Sequence, residues 1–265
     1  PDGKASFIEN LANPRGASLD MAGMADMARA HKIPLIVDNT VATPYLCRPF
    51  EWGADIVIHS ATKFIGGHGN SMGGLVVESG KFDWFASGKF PGLTEPDPAY
   101  HGLTFAETFG DFGYTMKTRA VALRDFGPSL SPMNAYLLLQ GVETLPLRMA
   151  RHCDNAQAVA EFLEAHPKVD WVSYAGLESS PYKALAQKYM PRGPGSVFTF
   201  GLGGGFDGGV RLVEACELFS HLANVGATRS LILHPASTTP RPPPPHQPPA
   251  SSAPPRAPPP PPAHP

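Results

Sequence analysis

The chemistry of this sequence centres on a lysine that stands where lysines are uncommon. Lys63 lies in the stretch ADIVIHSATKFIGGHGNSMGG, between an apolar, β-branched run and a loop with five glycines between positions 66 and 74. Lysine side chains usually stay in solvent, so on its own Lys63 would be interpreted as a surface residue. A lysine amine is protonated at neutral pH and becomes a nucleophile only where its surroundings favour the free base. One use of such a residue is to form a Schiff base.

Further polar groups match what pyridoxal phosphate would require beside such a lysine. Asp38 ends an apolar run, and its carboxylate can pair with a pyridinium nitrogen. At a separation of about 4 Å and an effective dielectric constant of about 20, the attraction between the two charges contributes roughly 4 kcal/mol. Ser60 and Thr62 flank Lys63 with hydroxyls that suit a phosphate, and Asn13 offers an amide that could reach the ring oxygen. Each group alone has an ordinary explanation, such as a turn carboxylate for Asp38. Together they predict a pyridoxal phosphate site.

The elements around these residues predict a sheet whose strand ends bring them together. Apolar residues at helical spacing predict a helix over residues 18–32, with Ser18 as its N-cap. The run IPLIVDNT predicts a buried strand that ends at Asp38, and ADIVIHS predicts a second strand that ends at Ser60. This order indicates an α/β fold with mainly parallel strands, in which ligands bind at the carboxyl ends of the strands. Asp38 and residues 60–63 are therefore expected at the same edge.

The second half of the chain follows a different pattern. Helical periodicity over residues 131–167, with a break near Pro146, precedes the strand-like runs VDWVSYAG and GSVFTFGLGG and the helical run GGVRLVEACELFS. From about Gly127 this order predicts a second, smaller α+β domain. Residues 240–265 are mostly proline and predict an extended polyproline II or disordered tail. That tail is either an SH3 or WW ligand or, as the abrupt change of composition favours, a non-native segment.

Composition excludes several classes of partner. The chain has 265 residues, of which 42% are hydrophobic, and no apolar run approaches the roughly 18 residues of a membrane span. A net charge of −2 with both signs interspersed gives no field that would attract nucleic acid. The cysteines, Cys47, Cys153 and Cys216, have spacings that suit neither a disulfide framework nor a zinc site, so no metal and a cytoplasmic location are expected. Because it begins at Pro1, the chain is expected to be a piece of a longer protein.

Longer motifs connect these residues to a known family. The stretch VDNTVATPYLCRPFEWGADIVIHSATKFIGGHG, with ANP upstream and SLILHPAST downstream, resembles the Cys/Met-metabolism family of pyridoxal-phosphate enzymes, the cystathionine γ-synthase-like group. The resemblance runs from near Pro1 to about Thr239. It implies an aspartate-aminotransferase-like (type I) fold. Residues 1–126 would be the C-terminal part of the large cofactor-binding domain, and residues 127–239 an incomplete small α+β domain.

The resemblance also implies roles for the matching positions. Lys63 would carry the cofactor as a Schiff base and later move protons at the substrate Cα and Cβ. Asp38, Ser60, Thr62 and Asn13 would hold the pyridinium, the phosphate and the ring oxygen as described above. A segment with Asn224 and Val225 resembles the part of the family that lies along the substrate carboxylate.

One branch of the family is implied in particular. The insertion SGKFPGLTEPDPAYHG, with FSHLANVGATRSLILHPASTT, is similar to the O-acetylhomoserine sulfhydrylase branch. This implies a γ-replacement in methionine and cysteine biosynthesis: O-acetyl-L-homoserine and sulfide, or a thiol, give homocysteine, or methionine, and acetate. Cystathionine γ-synthase or methionine γ-lyase activity is the alternative within the family. A non-catalytic domain that presents a proline-rich ligand is the alternative of another class.

Assembly and completeness follow from the same resemblance. The family forms homotetramers, so a homo-oligomer is implied. This sequence does not match the family's N-terminal portion, with its ring-stacking aromatic residue, or its late arginine for the substrate α-carboxylate. We therefore expect an inactive or weakly active fragment of an active enzyme.

Overall fold

The structure, a computed structural model, describes residues 3–12 and 16–238. Asn13 and the proline-rich residues 240–265, for which predictions were made above, lie outside the described residues. The strands are β1 (Ser6–Glu9), β2 (Leu11–Ala12), β3 (Ala17–Ser18), β4 (Leu35–Asp38), β5 (Ile56–Ser60), β6 (Gly74–Glu78), β7 (Val169–Ser173), β8 (Thr199–Leu202), β9 (Ser220–His221) and β10 (Leu231–Ile232).

The helices lie mainly after β6. They are α1 (Met21–Ala30), α2 (Thr43–Leu46), α3 (Trp84–Ser87), α4 (Pro91–Thr94), α5 (Phe105–Phe109), α6 (Gly113–Lys117), α7 (Arg124–Phe126), α8 (Pro132–Glu143), α9 (Leu145–Ala165), α10 (Lys183–Tyr189), α11 (Gly205–Ala215) and α12 (Pro235–Thr238). Short 3₁₀ helices occur at Pro49–Trp52, Pro98–Tyr100 and Gly110–Phe112, and a π-helical segment, Thr118–Leu123, joins α6 to α7. Within the described residues, no helix is long and apolar enough to cross a membrane.

The central sheet has four strands in the order β1-β4-β5-β6. The strands β1, β4 and β5 run parallel, and β6 returns antiparallel beside β5. The two predicted strands, which end at Asp38 and Ser60, are thus neighbours in the middle of the sheet. Their β-branched, apolar sequences suit strands that are covered by helices on both faces.

Helices cover both faces of this sheet. On one face, Leu35, Val37 and Val57 pack with buried residues of α1, α9 and α10. On the other face, Ile56 packs with Trp84, Leu93 and Phe105 from the helices that follow β6, and Ile36 and Ile58 pack against the same cluster. A mainly parallel sheet between two layers of helices is the α/β class that the sequence predicted.

The start of α1 differs from the prediction. Ser18 is not its N-cap, because Ser18 pairs with Leu11 in the small β2-β3 ladder and the helix begins at Met21. The free backbone N–H of Ala22 in the first turn instead donates to the Tyr189 hydroxyl at 3.2 Å. The same hydroxyl hydrogen-bonds the carboxylate of Asp20, the residue before the helix. The hydrogen-bond acceptor in the first turn of the helix therefore comes from a residue 167 positions away and not from the predicted N-cap.

The second half of the chain has the predicted elements. The predicted break near Pro146 is Thr144, which separates α8 from α9. The strands β7 and β8 form an antiparallel pair, and α11 follows them. Met149 and Cys153 of α9 join the core cluster that contains Leu35 and Val37. The first turns of the long helix therefore pack directly behind the central sheet.

Candidate functional site

The carboxyl edge of β4 and β5 brings Asp38 and Ser60 together. Asp38 pairs in register with Ile58, two residues before Ser60. Thr40 joins the two strand ends: its backbone N–H donates to Asp38 Oδ1 at 2.9 Å, and its hydroxyl accepts the N–H of Ser60 at 2.8 Å. The hydroxyl of Ser60 itself makes no hydrogen bond to another described residue, so it is free to donate to a ligand.

Lys63 lies in a helical turn directly after β5. Its backbone N–H donates to the Ser60 carbonyl at 3.1 Å, and its carbonyl accepts the N–H of Gly67 at 2.8 Å. The hydroxyl of Thr62 donates to the Gly73 carbonyl at 3.2 Å and accepts the Gly73 N–H at 3.1 Å. This reciprocal pair closes the glycine-rich loop, and it occupies the one hydrogen that a hydroxyl can donate.

The amine of Lys63 reaches a residue from the far end of the chain. Nζ donates to Asn224 Oδ1 at 2.6 Å, across 161 residues of sequence. Gly226 makes this approach possible, because a Cβ on it would lie 2.4 Å from the Phe64 nitrogen and 2.8 Å from the Lys63 carbonyl carbon. Val225 packs against the main core cluster. The structure thus brings Asn224 to Lys63, and Val225 anchors the segment.

Buried polar groups form hydrogen bonds next to the strand ends. The Asn10 amide donates to Asn39 Oδ1, and the Asn39 amide donates to the Cys47 carbonyl at 3.0 Å. His59 is buried in β5, and burial lowers the pKa of its imidazole. The nearby Asp38 carboxylate opposes this shift, since its negative charge favours the imidazolium and so raises the pKa of His59. Burial is the larger cause, so the net effect favours the neutral imidazole of His59.

Sequence reasoning missed several residues that hold the site together. Thr40 and Asn39 directly follow Asp38, but the partner of Thr40 is Ser60 at the end of β5, and that of Asn39 is Asn10, between β1 and β2. Arg148 donates to the carbonyls of Phe64 and Ile65, directly after the lysine. No local pattern indicates this role for Arg148; the glycines at 66 and 67, which leave room beside the lysine, are the one available signal.

The residues present fit pyridoxal phosphate. The Asp38 carboxylate and a Ser60 hydroxyl that is unpaired among the described residues lie at the carboxyl edge of parallel strands, and Lys63 follows in the next turn. This edge is where α/β proteins bind ligands. The lysine amine contacts a neutral amide and not a carboxylate, so no ion pair has to be broken to release it. Within the part of the chain that the structure describes, no group of three His, Cys, Asp or Glu side chains is placed to hold a metal. These groups make the edge a candidate cofactor site centred on Lys63.

Comparison with known proteins leads to the same class. Residues 1–252 match the family model described as Cys/Met metabolism PLP-dependent enzyme. The chain is 49% identical over 245 residues to O-acetyl-L-homoserine sulfhydrylase of Leptospira meyeri, which covers 89% of the chain and 55% of that relative. It is 51% identical over 238 residues to homocysteine synthase of Schizosaccharomyces pombe, covering 89% of the chain and 56% of the relative.

A solved structure shares the fold. It is assigned as an O-acetylhomoserine (thiol)-lyase from Campylobacter jejuni and contains a pyridoxyl-lysine phosphate. It superposes with a TM-score of 0.85 at 38% identity and covers 89% of this chain and 56% of its own. The chain therefore belongs to the Cys/Met-metabolism family of PLP-dependent enzymes, and the predicted type I fold is confirmed. It spans about half the length of the curated relatives it matches.

Proposed function

We propose that this chain forms the lysine-bearing half of a pyridoxal-phosphate enzyme that exchanges the γ-substituent of O-acetyl-L-homoserine. The observation that carries the proposal is the contact between Lys63 Nζ and Asn224, made from the turn that follows the strand ends at Asp38 and Ser60. Relatives named for O-acetylhomoserine sulfhydrylase and homocysteine synthase activity support the choice of substrate. In the proposed reaction the Cγ–O bond breaks, a Cγ–S bond forms with sulfide or a thiol, and acetate leaves with no net oxidation.

The cofactor-facing residues divide the work. Pyridoxal phosphate, when bound, would supply an electron sink for the electrons of the substrate Cα–H bond. Asp38, whose carboxylate is already oriented by Thr40, would hold the proton of the pyridine nitrogen. Ser60 would donate its unpaired hydroxyl to the phosphate, and Thr62 would do so on release from Gly73. Asn13 would contact the ring oxygen.

The lysine has two tasks in this proposal. Lys63 would bind the cofactor through Nζ, and its amine would then carry protons from the substrate Cα and to and from Cβ. Asn224 accepts from the same Nζ, so it holds the amine while leaving both hydrogens of its own amide nitrogen for a substrate carboxylate. Val225 would keep this segment beside the lysine through its packing on the core.

The wider setting of the proposal is a homo-oligomeric enzyme of the cytoplasm. The three cysteines are free, two of them buried, as suits a reducing compartment. Residues 1–126 would contribute the sheet edge with the lysine, and residues 127–239 the small domain that supplies Asn224. Substrates are small molecules, O-acetylhomoserine and sulfide, and neither nucleic acid nor a membrane takes part.

The proposal is tested by product formation with matched lysine variants. Purified chain with pyridoxal phosphate is given O-acetylhomoserine and sulfide, and homocysteine is quantified beside methionine breakdown. We expect Lys63→Ala to lower homocysteine formation by about 10³-fold or more, as loss of a nucleophile and proton carrier does. The exposed Lys81 is the control, and Lys81→Ala should leave the rate unchanged.

A spectral readout covers the case of slow turnover. Added O-acetylhomoserine should change the visible band of the pyridoxal-phosphate-loaded chain at lower concentration than methionine does. Faster breakdown of methionine than formation of homocysteine, or a spectral change with methionine alone, would contradict the proposed substrate.

A further inference from the structure

Arg148 holds the lysine turn from behind with an unusual set of partners. It lies in the first turn of α9, and its guanidinium donates to the carbonyls of Phe64 at 2.7 Å and Ile65 at 3.1 Å. It also donates to the Gly141 carbonyl at 2.6 Å, in the last turns of α8, and to the Thr144 hydroxyl at 3.1 Å. No carboxylate of the described residues lies within ion-pair distance of it. These four hydrogen bonds all go to neutral oxygens, two of them on the residues that follow the lysine.

The chain is shaped to admit this guanidinium. Gly67 has a φ of +73°, and a Cβ on it would lie 2.2 Å from Arg148 Nη1. A Cβ on Gly141 would lie 2.3 Å from the Gly66 carbonyl oxygen. Side chains at these positions would displace the arginine or separate α8 from the lysine turn. Gly67 therefore serves the approach of Arg148, in addition to forming a tight loop.

A second residue of α9 supports the same turn. His152, one helical turn after Arg148, packs edge-on against the Phe64 ring with centroids 5.6 Å apart. Burial, and then the positive charge of Arg148, lower the pKa of the His152 imidazole, so it packs as a neutral ring. Two residues of α9 thus hold Phe64: Arg148 binds its carbonyl, and His152 packs against its ring.

We propose that Arg148 is a positioning residue for Lys63. By fixing the carbonyls of residues 64 and 65 on α9, it sets the direction of the turn and keeps Nζ in reach of Asn224. The guanidinium suits this task because its planar fork can bind several oxygens at fixed angles, which an ammonium group cannot do. The link to catalysis rests on the proposed function, but the positioning of the amine does not depend on it.

The test follows the reactivity of Lys63 in the folded chain without cofactor. A trace of an amine-acetylating reagent is added, and the rate at Lys63 is divided by the rate at Lys117, as measured by peptide mass spectrometry. Lys117 is a suitable reference because it is partly buried and held by Asp97, away from α9. If Arg148 only stabilised the fold, its loss would loosen the whole structure and raise both rates. The ratio of the two rates would then stay unchanged.

We expect Arg148→Met to raise this ratio by about tenfold, the factor that corresponds to the loss of one hydrogen bond to a charged group. Arg148→Lys, which keeps the charge without the fork, should recover only part of the change. Guanidinium at low, non-denaturing concentration should restore the ratio in Arg148→Ala. The matched control is Arg151→Met on the exposed side of the same helix, with an unchanged ratio.

Two outcomes would overturn the proposal. One is an unchanged ratio in folded Arg148→Met; the other is an equal change in Arg151→Met. If Arg148→Met does not fold, Arg148→Lys and the guanidinium rescue of Arg148→Ala decide in its place. Pyridoxal phosphate labelling is scored separately, so an altered ratio in a chain that never takes the cofactor would keep the positioning role and refute the proposed function instead.

Discussion

Two neighbouring regions of this molecule treat apolar side chains in opposite ways. In the lysine turn, Ala61, Phe64 and Ile65 are almost fully buried, and backbone, ring and side-chain contacts reach the turn from α8, α9 and the segment of Asn224. On the outer side of β6 and α8, large apolar residues are open to solvent, among them Val76 at 48% and Leu139 at 65% exposure. The site is held from inside the chain, while the adjacent surface is left uncovered.

The difference separates contacts made within the chain from a surface that the chain leaves exposed. Within the described residues, Asn224 binds the amine of Lys63 and Arg148 binds the carbonyl of Phe64, and these contacts orient the amine. Large apolar residues exposed along neighbouring positions, such as Leu75, Val76 and Val77 of β6, are typical of interaction surfaces or of a tendency to aggregate. This supports the proposed homo-oligomer, and it predicts that substitutions in the two regions have very different effects.

The largest loss of stability is expected at Gly226, whose backbone lies against the backbone of Lys63 and Phe64. Gly226→Ala puts a Cβ 2.4 Å from the Phe64 nitrogen at a φ of +81°. Strain and overlap together should lower the free energy of unfolding by about 4 kcal/mol. Gly88→Ala is the control: its φ is +67°, but nothing lies within 4 Å of the added Cβ. Urea denaturation that gives equal losses for both variants would show that the close approach of Gly226 is not required.

The sharpest comparison of the two regions uses adjacent leucines of α8. Leu138 is 7% exposed and packs with Ala61 and Ile65, whereas Leu139 is 65% exposed. We expect Leu138→Ala to lower the free energy of unfolding by about 3 kcal/mol, since it leaves a cavity against the lysine turn. Leu139→Ala should change it by less than about 0.5 kcal/mol and reduce self-association in sedimentation experiments. The reverse order of stabilities would invalidate the distinction between the regions.

A smaller effect is expected from acid. Burial lowers the pKa of His152, so in acid the unfolded chain binds a proton that the folded chain does not. The free energy of unfolding should therefore fall as the pH drops through about 6.5, the ordinary histidine value, towards the lower folded value. His152→Gln should reduce this fall by on the order of 1 kcal/mol or less. Stability curves measured from pH 7.5 to 5.5 that coincide for the two proteins would contradict this.

The local parts of the fold were predictable from the sequence. Strands that end at Asp38 and Ser60 follow from short β-branched runs. The break before Pro146 follows because proline cannot donate the backbone hydrogen bond of a continuous helix and is tolerated in a first turn. Parallel neighbours then necessarily bring these strand ends to one edge. For that reason the sequence predicts one site for Lys63, Asp38 and the hydroxyls of Ser60 and Thr62, and this assignment stays a prediction.

The long-range parts were not predictable, because their signal is in tertiary contacts. The partner of Ala22 at the start of α1 is Tyr189, and the partners of Phe64 and Lys63 are Arg148 and Asn224, all of them far away in sequence. No pattern in the sequence around Lys63 indicates these partners. Thr62 illustrates the same limit, since its hydroxyl, assigned to a phosphate, is bonded to Gly73 in the structure.

The most direct test of the account is the position of the cofactor label. The chain is mixed with pyridoxal phosphate, reduced with borohydride and digested, and the pyridoxyl group is located among its lysines. We expect one dominant label on Lys63, which is lost in Lys63→Ala and undiminished in Lys81→Ala. A folded chain whose label is absent, or is spread over its surface lysines, would contradict the central claim that this turn is built to bind the cofactor.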